Sequence, residues 1–372
     1  MEIPLFDLRR PLEPFEGALL EAAARTLRSR RFILGPEVEA FERELARYLG
    51  VREVVGVANG TDALTIALRA LGAGPGDEVI VPAFTFYASA EAIPPTGARP
   101  VFCDVDPELM VLTPETVKPR LSRRTRAVIA VHLFGNLAPV GEIEALGVPV
   151  LEDAAQALGS RAPDGAMAGS LGRAATFSFY PTKNLGCAGD GGAIATSDAQ
   201  VAELARTLRF HGSRDQRSFE LVGFNSRLDE LQAAFLRVLL PQLEGWCEDR
   251  ARCLERYRKA GLGELVRLPA VLPGARAAWH VLVVRSPHVD RIAAVLREAG
   301  IGARVYYRPP LHRQPAMSRY AGSSALPASE HLALTHLALP SWPGLGPREA
   351  RAITERVAVA LAGIGADAPS RC

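Results

Sequence analysis

Short runs of β-branched and other apolar residues recur along this chain, each followed by a stretch with helical spacing. Asp77–Val81, Pro100–Asp104, Ala127–Val131 and Val148–Leu151 read as buried strands, and Ala174–Phe179 and Gly192–Thr196 follow. They lack the polar alternation of a half-exposed sheet, so both faces must be covered. Alternation of this kind leaves one common architecture, a mostly parallel sheet wrapped by helices. From Leu228 to about Arg258 the pattern is helical, with Pro241 as a break. A second, smaller α/β unit follows. It has a strand at Trp279–Val284, a helix at about Val289–Ala299, another short strand, and a last helix at roughly Pro347–Leu361. The expected division is a large domain over 1–240 and a small one over 241–372. The tail Ala366–Cys372 is expected to fray.

In open α/β sheets ligands sit at the carboxyl ends of the strands. Three features fall there. Val148–Leu151 runs directly into Glu152 and Asp153, which sends a carboxylate toward the crevice. The strand Ala174–Phe179 carries Ser178 toward a loop containing Lys183. Glu53–Ala58 feeds Asn59-Gly60-Thr61-Asp62, after which Ala63, Leu64, Ala67, Leu68 and Leu71 mark one face of a helix. A small-residue turn entering a helix offers free amides and the positive dipole end to an anion. Asn-Gly-Thr-Asp is also an ordinary capped turn, and Asp153 alone is also an ordinary N-cap.

Lys183 is the strongest chemical signal. The chain has three lysines, Lys118, Lys183 and Lys259, against forty arginines. Arginine stays protonated, whereas a buried lysine can lose its proton and attack a carbonyl. Carboxylate, hydroxyl and amine together suit pyridoxal phosphate. The acid keeps the pyridine nitrogen protonated, the hydroxyl bonds the phosphate, and the lysine forms a Schiff base.

These motifs and others together resemble those of a known family. Phe32–Glu42, Asn59–Leu64, Pro82–Phe86, Glu152–Gln156, Phe177–Gly186, Gly189–Ala193 and Gly223–Ala234, in that order, resemble the DegT/DnrJ/EryC1/StrS sugar aminotransferases. These are fold-type I pyridoxal-phosphate enzymes. The resemblance spans nearly the whole chain. It implies that Lys183 forms the internal aldimine and shuttles the proton, and that Asp153 pairs with the ring nitrogen. It implies that Gln156 lies near the ring and Phe86 stacks on it. Gly60, Thr61 and Ser178 are to hold the phosphate. Asn225 is to reach the neighbouring subunit's cofactor, which makes the enzyme a homodimer with shared sites. Tyr180, Arg227, Tyr306 and Tyr307 are to meet the nucleotide sugar, with an amino acid, glutamate in the family, as donor. Three departures bear on the sugar: His211 where tyrosine is usual, Tyr306 where histidine is frequent and Arg308 where proline is frequent. For His211 a plain loop role is as good a reading as a substrate contact.

The loop Tyr180–Gly186 resembles members that aminate the sugar 3-position. A dTDP-linked 3-keto-6-deoxyhexose is therefore the favoured substrate. A UDP-linked 3-ketosugar is the runner-up, since those enzymes share Asn184–Cys187; a 4-ketosugar or cyclitol stands behind it. Ketosugar dehydratases of the family carry histidine in place of Lys183. A dinucleotide oxidoreductase is disfavoured because Gly72–Gly76 follows a helix and precedes a strand, the reverse of the pyrophosphate fingerprint. A non-catalytic regulatory protein is disfavoured by the joint presence of Asp153, Ser178 and Lys183.

The net charge of +2 and the scattered arginines point to neither nucleic acid nor membrane as partner. Arg28, Arg30 and Arg31 form the densest early cluster. A solvated helix face is the favoured reading, with diphosphate binding left open. The cysteines Cys103, Cys187, Cys247, Cys253 and Cys372 show no metal or disulfide spacing, and the histidines show no metal pattern. With no leader-like start, the expectation is a reduced, cytoplasmic protein without a metal. Cys187, close to Lys183, reads as packing.

Overall fold

A computed structural model describes residues 2–322 and 325–362 of the chain. The tail from Ala366, including Cys372, lies outside the described residues. Among the described residues nine strands form two sheets. Seven belong to the large sheet: β1 (Glu53–Val57), β2 (Glu78–Pro82), β3 (Arg99–Cys103), β4 (Thr125–Val131), β5 (Val150–Asp153), β6 (Ala174–Ser178) and β7 (Gly192–Thr196). Their order is β1-β7-β6-β5-β4-β2-β3. Only the pairings of β7, with β1 and with β6, are antiparallel. The carboxyl ends of β1, β4, β5 and β6 therefore share one edge with the start of β7.

Helices of nine or more residues are α1 (Glu16–Ser29), α2 (Pro36–Leu49), α3 (Gly60–Ala70), α4 (Ala199–Arg209), α5 (Glu230–Leu239), α6 (Leu243–Lys259), α7 (Val289–Glu298), α8 (Pro327–Thr335) and α9 (Pro347–Leu361). The large sheet is covered on both faces, which is why its strands lack alternation. Val55 and Ile194 pack with α3 and α4, while their neighbours Val54, Ala193 and Ala195 pack with α2 and α5. A third core cluster joins α6, α7 and α9 to β8 (Leu282–Arg285) and β9 (His336–Leu339), which pair antiparallel. The chain start belongs to this third cluster. Ile3 is buried there, its amide donates to Gly300 O at 3.0 Å, and Trp342 Nε1 donates to Pro4 O at 3.0 Å.

Two elements depart from expectation. β5 starts two residues late, so Glu152 and Asp153 are themselves strand residues. The strand expected at Trp279–Val284 begins only at Leu282. Trp279 is left-handed at φ 46°, and Arg250 Nη1 donates to the carbonyls of Trp279 and His280 at 3.5 and 3.3 Å. Those carbonyls are thereby diverted from a sheet ladder. The break at Pro241 is a single 3-10 turn, Leu240–Gln242, between α5 and α6.

Two of the sequence motifs serve the scaffold. Helix α2 has no capping side chain of its own. The buried Glu230 carboxylate accepts from Gly35 N, Glu37 N and Val38 N at 2.9, 2.9 and 2.8 Å. A Cβ at position 35 would stand 2.8 Å from Glu230 Oε2, so Gly35 and Glu230 require one another. Glu152, fully buried, accepts from the amides of Gly169, Leu171 and Gly172, each at 2.8 Å, and lies 2.9 Å from His132 Nε2. Among the described residues no helix is long and apolar enough to cross a membrane, and no cluster of histidine, cysteine and acidic residues is arranged to hold a metal.

Candidate active site

β1 delivers Asn59, whose side chain caps α3 by accepting from Asp62 N at 2.8 Å. This leaves Gly60 and Thr61 as the first residues of the helix, at its positive end. Gly60 packs directly on the end of β6, where a Cβ would stand 2.8 Å from Ser178 Cβ. Gly192, at the start of β7, is equally confined, since a Cβ there would lie 2.4 Å from Asn59 C and O. Backbone amides and the Ser178 hydroxyl thus meet in one small cradle. Larger residues at 60 or 192 would fill it.

Asp153 ends β5 beside this cradle. It is buried, and its carboxylate accepts from Ser89 Oγ at 2.7 Å and from Ala155 N at 3.2 Å. Ser89 escaped the sequence reading. It sits on a four-residue helical turn, Ala88–Glu91, and nothing in a lone serine there announces a carboxylate partner. The contrast with Glu152 follows from the pleat. Adjacent strand residues face opposite sides, so one acid holds a loop and the other meets the crevice.

Lys183 lies on the loop after β6. The loop is closed by Lys183 N to Tyr180 O and by Cys187 N to Phe179 O, both 2.8 Å. A Cβ at Gly186 would stand 2.5 Å from Pro181 O, so the loop admits no side chain there. Asn184 Nδ2 donates to Leu158 O at 3.1 Å and Ala278 O at 3.2 Å, which fixes the loop to two other segments. Burial lowers the Lys183 ammonium from 10.5 to about 8, with the Asp153 charge acting in opposition. At pH 7 about a tenth of such an amine is neutral, against a few parts in ten thousand for an ordinary lysine. Cys187 packs as expected; burial pushes its thiol up to about 12, far from thiolate.

Gln156 joins the site to the 300s loop. Its Oε1 accepts from Phe134 N at 2.7 Å, and its Nε2 donates to Tyr307 OH at 2.9 Å. Burial pushes the Tyr307 phenol well above its usual value, so it stays protonated. The Tyr307 ring stacks on Phe134 at 6.2 Å and lies 5.9 Å from the ring of Phe86. Phe86 itself is exposed. His280, also unmarked by sequence, is buried. Its ring is held neutral by burial first and then by the nearby Lys183 charge.

The other predicted residues stand further out. Tyr180 and Asn225 are exposed, and the Asn225 side chain makes no hydrogen bond to a described residue. Arg227 is half-buried with its guanidinium 5.2 Å over the Phe210 ring. Their segment is nonetheless fixed, because Ala58 N donates to Ser226 Oγ at 3.1 Å. Tyr306 lies beside Arg304, whose guanidinium is 5.1 Å from its ring, and Tyr306 N donates to His336 Nε2 at 3.1 Å. His211 is exposed and left-handed at φ 57°. Arg308 is occupied: it donates to Ala333 O and Leu334 O and pairs with Asp290 at 2.8 Å. It clamps the 300s loop to α7 and α8.

Comparison with known proteins gives a consistent answer. The model of the DegT/DnrJ/EryC1/StrS aminotransferase family matches residues 16–358. A dTDP-3-amino-3,4,6-trideoxy-alpha-D-glucose transaminase of Streptomyces venezuelae is 42% identical over 95% of this chain and 95% of its own. A UDP-N-acetyl-3-dehydro-alpha-D-glucosamine 3-aminotransferase of Acidithiobacillus ferrooxidans is 41% identical over 92% and 94%. A protein of Geobacillus stearothermophilus named pleiotropic regulatory protein is 41% identical over 96% and 98%. The crystal structure of S. venezuelae DesV, in complex with a ketimine intermediate, superposes with a TM-score of 0.92 at 41% identity, covering 96% of this chain and 97% of that one.

Proposed function

The chain belongs to the DegT/DnrJ/EryC1/StrS aminotransferase family, and from that premise we propose that it transfers an amino group to a nucleotide-linked 3-ketosugar. The observation that carries the reading is one arrangement: Lys183, lowered to about 8, near Asp153 and beside a helix-start cradle that only glycine permits. This donor set fits pyridoxal 5'-phosphate. When bound, the cofactor supplies a carbonyl for the donor nitrogen and a ring that takes up electrons from a breaking C–H bond.

The remaining chemistry belongs to the chain's own residues. Gly60 and Thr61 amides, with the Ser178 hydroxyl, hold the phosphate. The Asp153 carboxylate, kept in place by Ser89, holds a proton at the ring nitrogen. Lys183 Nζ is neutral often enough to take a proton from carbon and charged often enough to return it. Gln156 lies near the ring, Phe86 stacks on its face, and the buried Tyr307 closes the wall beside them. Tyr180, Arg227 and Tyr306 receive the sugar nucleotide. Asn225, exposed and with no side-chain hydrogen bond to a described residue, completes the site of a second copy in a homodimer. Residues 1–240 supply the cofactor half and residues 241–372 the smaller domain, with Ile3 and Pro4 of the chain start packed on the latter's core.

The donor is glutamate, and the favoured acceptor is a dTDP-linked 3-keto-6-deoxyhexose in the cytoplasm. The UDP-linked alternative draws on the Asn184–Cys187 run and on the A. ferrooxidans relative, whose identity to this chain is nearly as high. Steady-state kinetics on a panel of dTDP- and UDP-ketosugars with glutamate tests the assignment. A kcat/KM at least tenfold higher for dTDP-3-ketosugars supports it, and a preference for UDP sugars or for 4-ketosugars overturns it. A colourless purified protein that takes up no pyridoxal phosphate favours the non-catalytic reading instead.

A further inference from the structure

Arg28, Arg30 and Arg31 are basic side chains for which the fold supplies no acid. Some other arginines are paired with acids, such as Arg209 with Glu42 at 2.6 Å and Arg237 with Glu37 and Glu44 at 2.6 and 2.8 Å. None of the three is in an ion pair with a described residue, and all are exposed. Only Arg28 lies on a helix. It sits in the last turn of α1, where a cation offsets the negative end of the dipole, and this accounts for it.

Arg30 and Arg31 lie beyond the helix and have no such explanation. Arg30 is left-handed at φ 56°, and Leu34 at φ 49°. A left-handed residue closing a helix is normally glycine, because a Cβ is strained there. Strain of this sort persists where surrounding structure imposes it, often at binding sites. Between the two strained residues, Phe32 and Ile33 are 46% and 45% exposed. Their backbone is nevertheless pinned. Glu230 N donates to Phe32 O at 3.0 Å, Ile33 bridges to Asp229, and Gly35 N is held by Glu230. The segment they pair with runs back through Arg227 and Ser226 to the cradle at Ala58–Gly60.

A fixed turn thus presents two unpaired guanidinium groups and one exposed aromatic ring beside the segment proposed to meet the substrate. We infer that Arg30 and Arg31 hold the diphosphate of the nucleotide sugar and that Phe32 lies against its base. Guanidinium matches phosphate oxygens two at a time, and an aromatic face stacks on any base. This deepens the function proposed above and rests on it.

The experiment measures binding of dTDP, UDP and thymidine to the holoenzyme by calorimetry. It compares wild type with Arg30→Gly, Arg31→Gln, their double variant and Phe32→Ala. Arg30→Gly relieves the strained φ and keeps or raises the melting temperature. It is expected to weaken dTDP roughly tenfold, and the double variant roughly a hundredfold, while thymidine changes less than twofold. The salt dependence of dTDP binding flattens in the double variant. Phe32→Ala weakens dTDP and thymidine alike. Conversion of the cofactor by glutamate alone, followed by its absorbance, stays at the wild-type rate in all four, which separates nucleotide binding from damage to the cofactor site. If wild type binds dTDP or UDP and the double variant binds within twofold of it, the inference is overturned and the proposed function stands. If wild type binds neither nucleotide, both fall. If Phe32→Ala changes the oligomeric mass and leaves dTDP binding intact, Phe32 belongs to an interface and the base contact is wrong.

Discussion

The cofactor side of the crevice and its outer rim differ in how much of their geometry one chain settles. Asp153 has two hydrogen-bond partners of its own, Gly60 and Gly192 are confined to within 3 Å of backbone or Ser178, and the Lys183 loop is closed by its own amides. Asn225 and Tyr180 are exposed, and the Asn225 side chain makes no hydrogen bond to a described residue. A preorganised cofactor half needs little from outside to work. On the proposed reading, the rim takes its final form only with the substrate or a second subunit. Changes on the cofactor side should therefore cost chemistry, and changes on the rim should cost binding or be rescued by a partner.

The largest effect is expected at Lys183. Lys183→Arg should lower turnover by roughly a thousandfold or more, because a guanidinium does not exchange the proton. Stopped-flow assay of the glutamate half-reaction reads this directly, and a loss below tenfold would place the proton transfer elsewhere. Next comes Asp153→Asn. The fold should survive and turnover should drop on the order of a hundredfold, since the ring nitrogen loses its charge partner. Near wild-type turnover in a variant with unchanged circular dichroism refutes that role.

Subunit mixing tests the division itself. Asn225→Ala and Lys183→Ala should each be nearly inactive alone. Exchanged into heterodimers, they should place both defects in one site and none in the other, returning up to about a quarter of the wild-type rate. If mass analysis confirms the heterodimer and no activity returns, Asn225 acts within its own chain and the rim is not shared.

Two smaller effects sharpen the cofactor side. Gly60→Ala pushes a methyl group to 2.8 Å from Ser178 Cβ, and pyridoxal-phosphate affinity should fall roughly tenfold with little change in saturated turnover. Titration of the apo-protein followed by absorbance measures it; unchanged affinity means the phosphate lies elsewhere. Lys183 also leaves a stability signature. The unfolded chain keeps this proton to about 10.5 and the folded chain only to about 8. Between those values the unfolded state binds more protons, so stability rises with pH through that window, and below it the penalty is complete. Apo Lys183→Met should then be more stable than apo wild type at pH 7, by on the order of 1–3 kcal/mol. The gap should close toward pH 10. Urea unfolding at the two pH values decides it, and a gap independent of pH would mean that burial of the amine is not its cause.

Legibility in the sequence follows the same division. The strand-helix alternation, the single helical break at Pro241 and the last helix at Pro347–Leu361 were all readable, because periodicity and proline act locally. The placement of Asp153, the Lys183 loop and the Gly60 turn at strand ends was readable in the same way. Long-range partners were not. Glu230 capping α2, Ser89 on Asp153 and Arg250 turning the Trp279 carbonyl join residues far apart in sequence, and no spacing rule marks them. Arg308, an open question from its substitution alone, is explained once Asp290 and the end of α8 lie within its reach.

The central claim is that Lys183, alone among three lysines, carries the cofactor. Purified holoenzyme should absorb in the visible, and borohydride reduction followed by peptide mass mapping should find the cofactor fixed to the peptide containing Lys183. Label on the peptide of Lys118 or Lys259, with none on Lys183, would contradict the account.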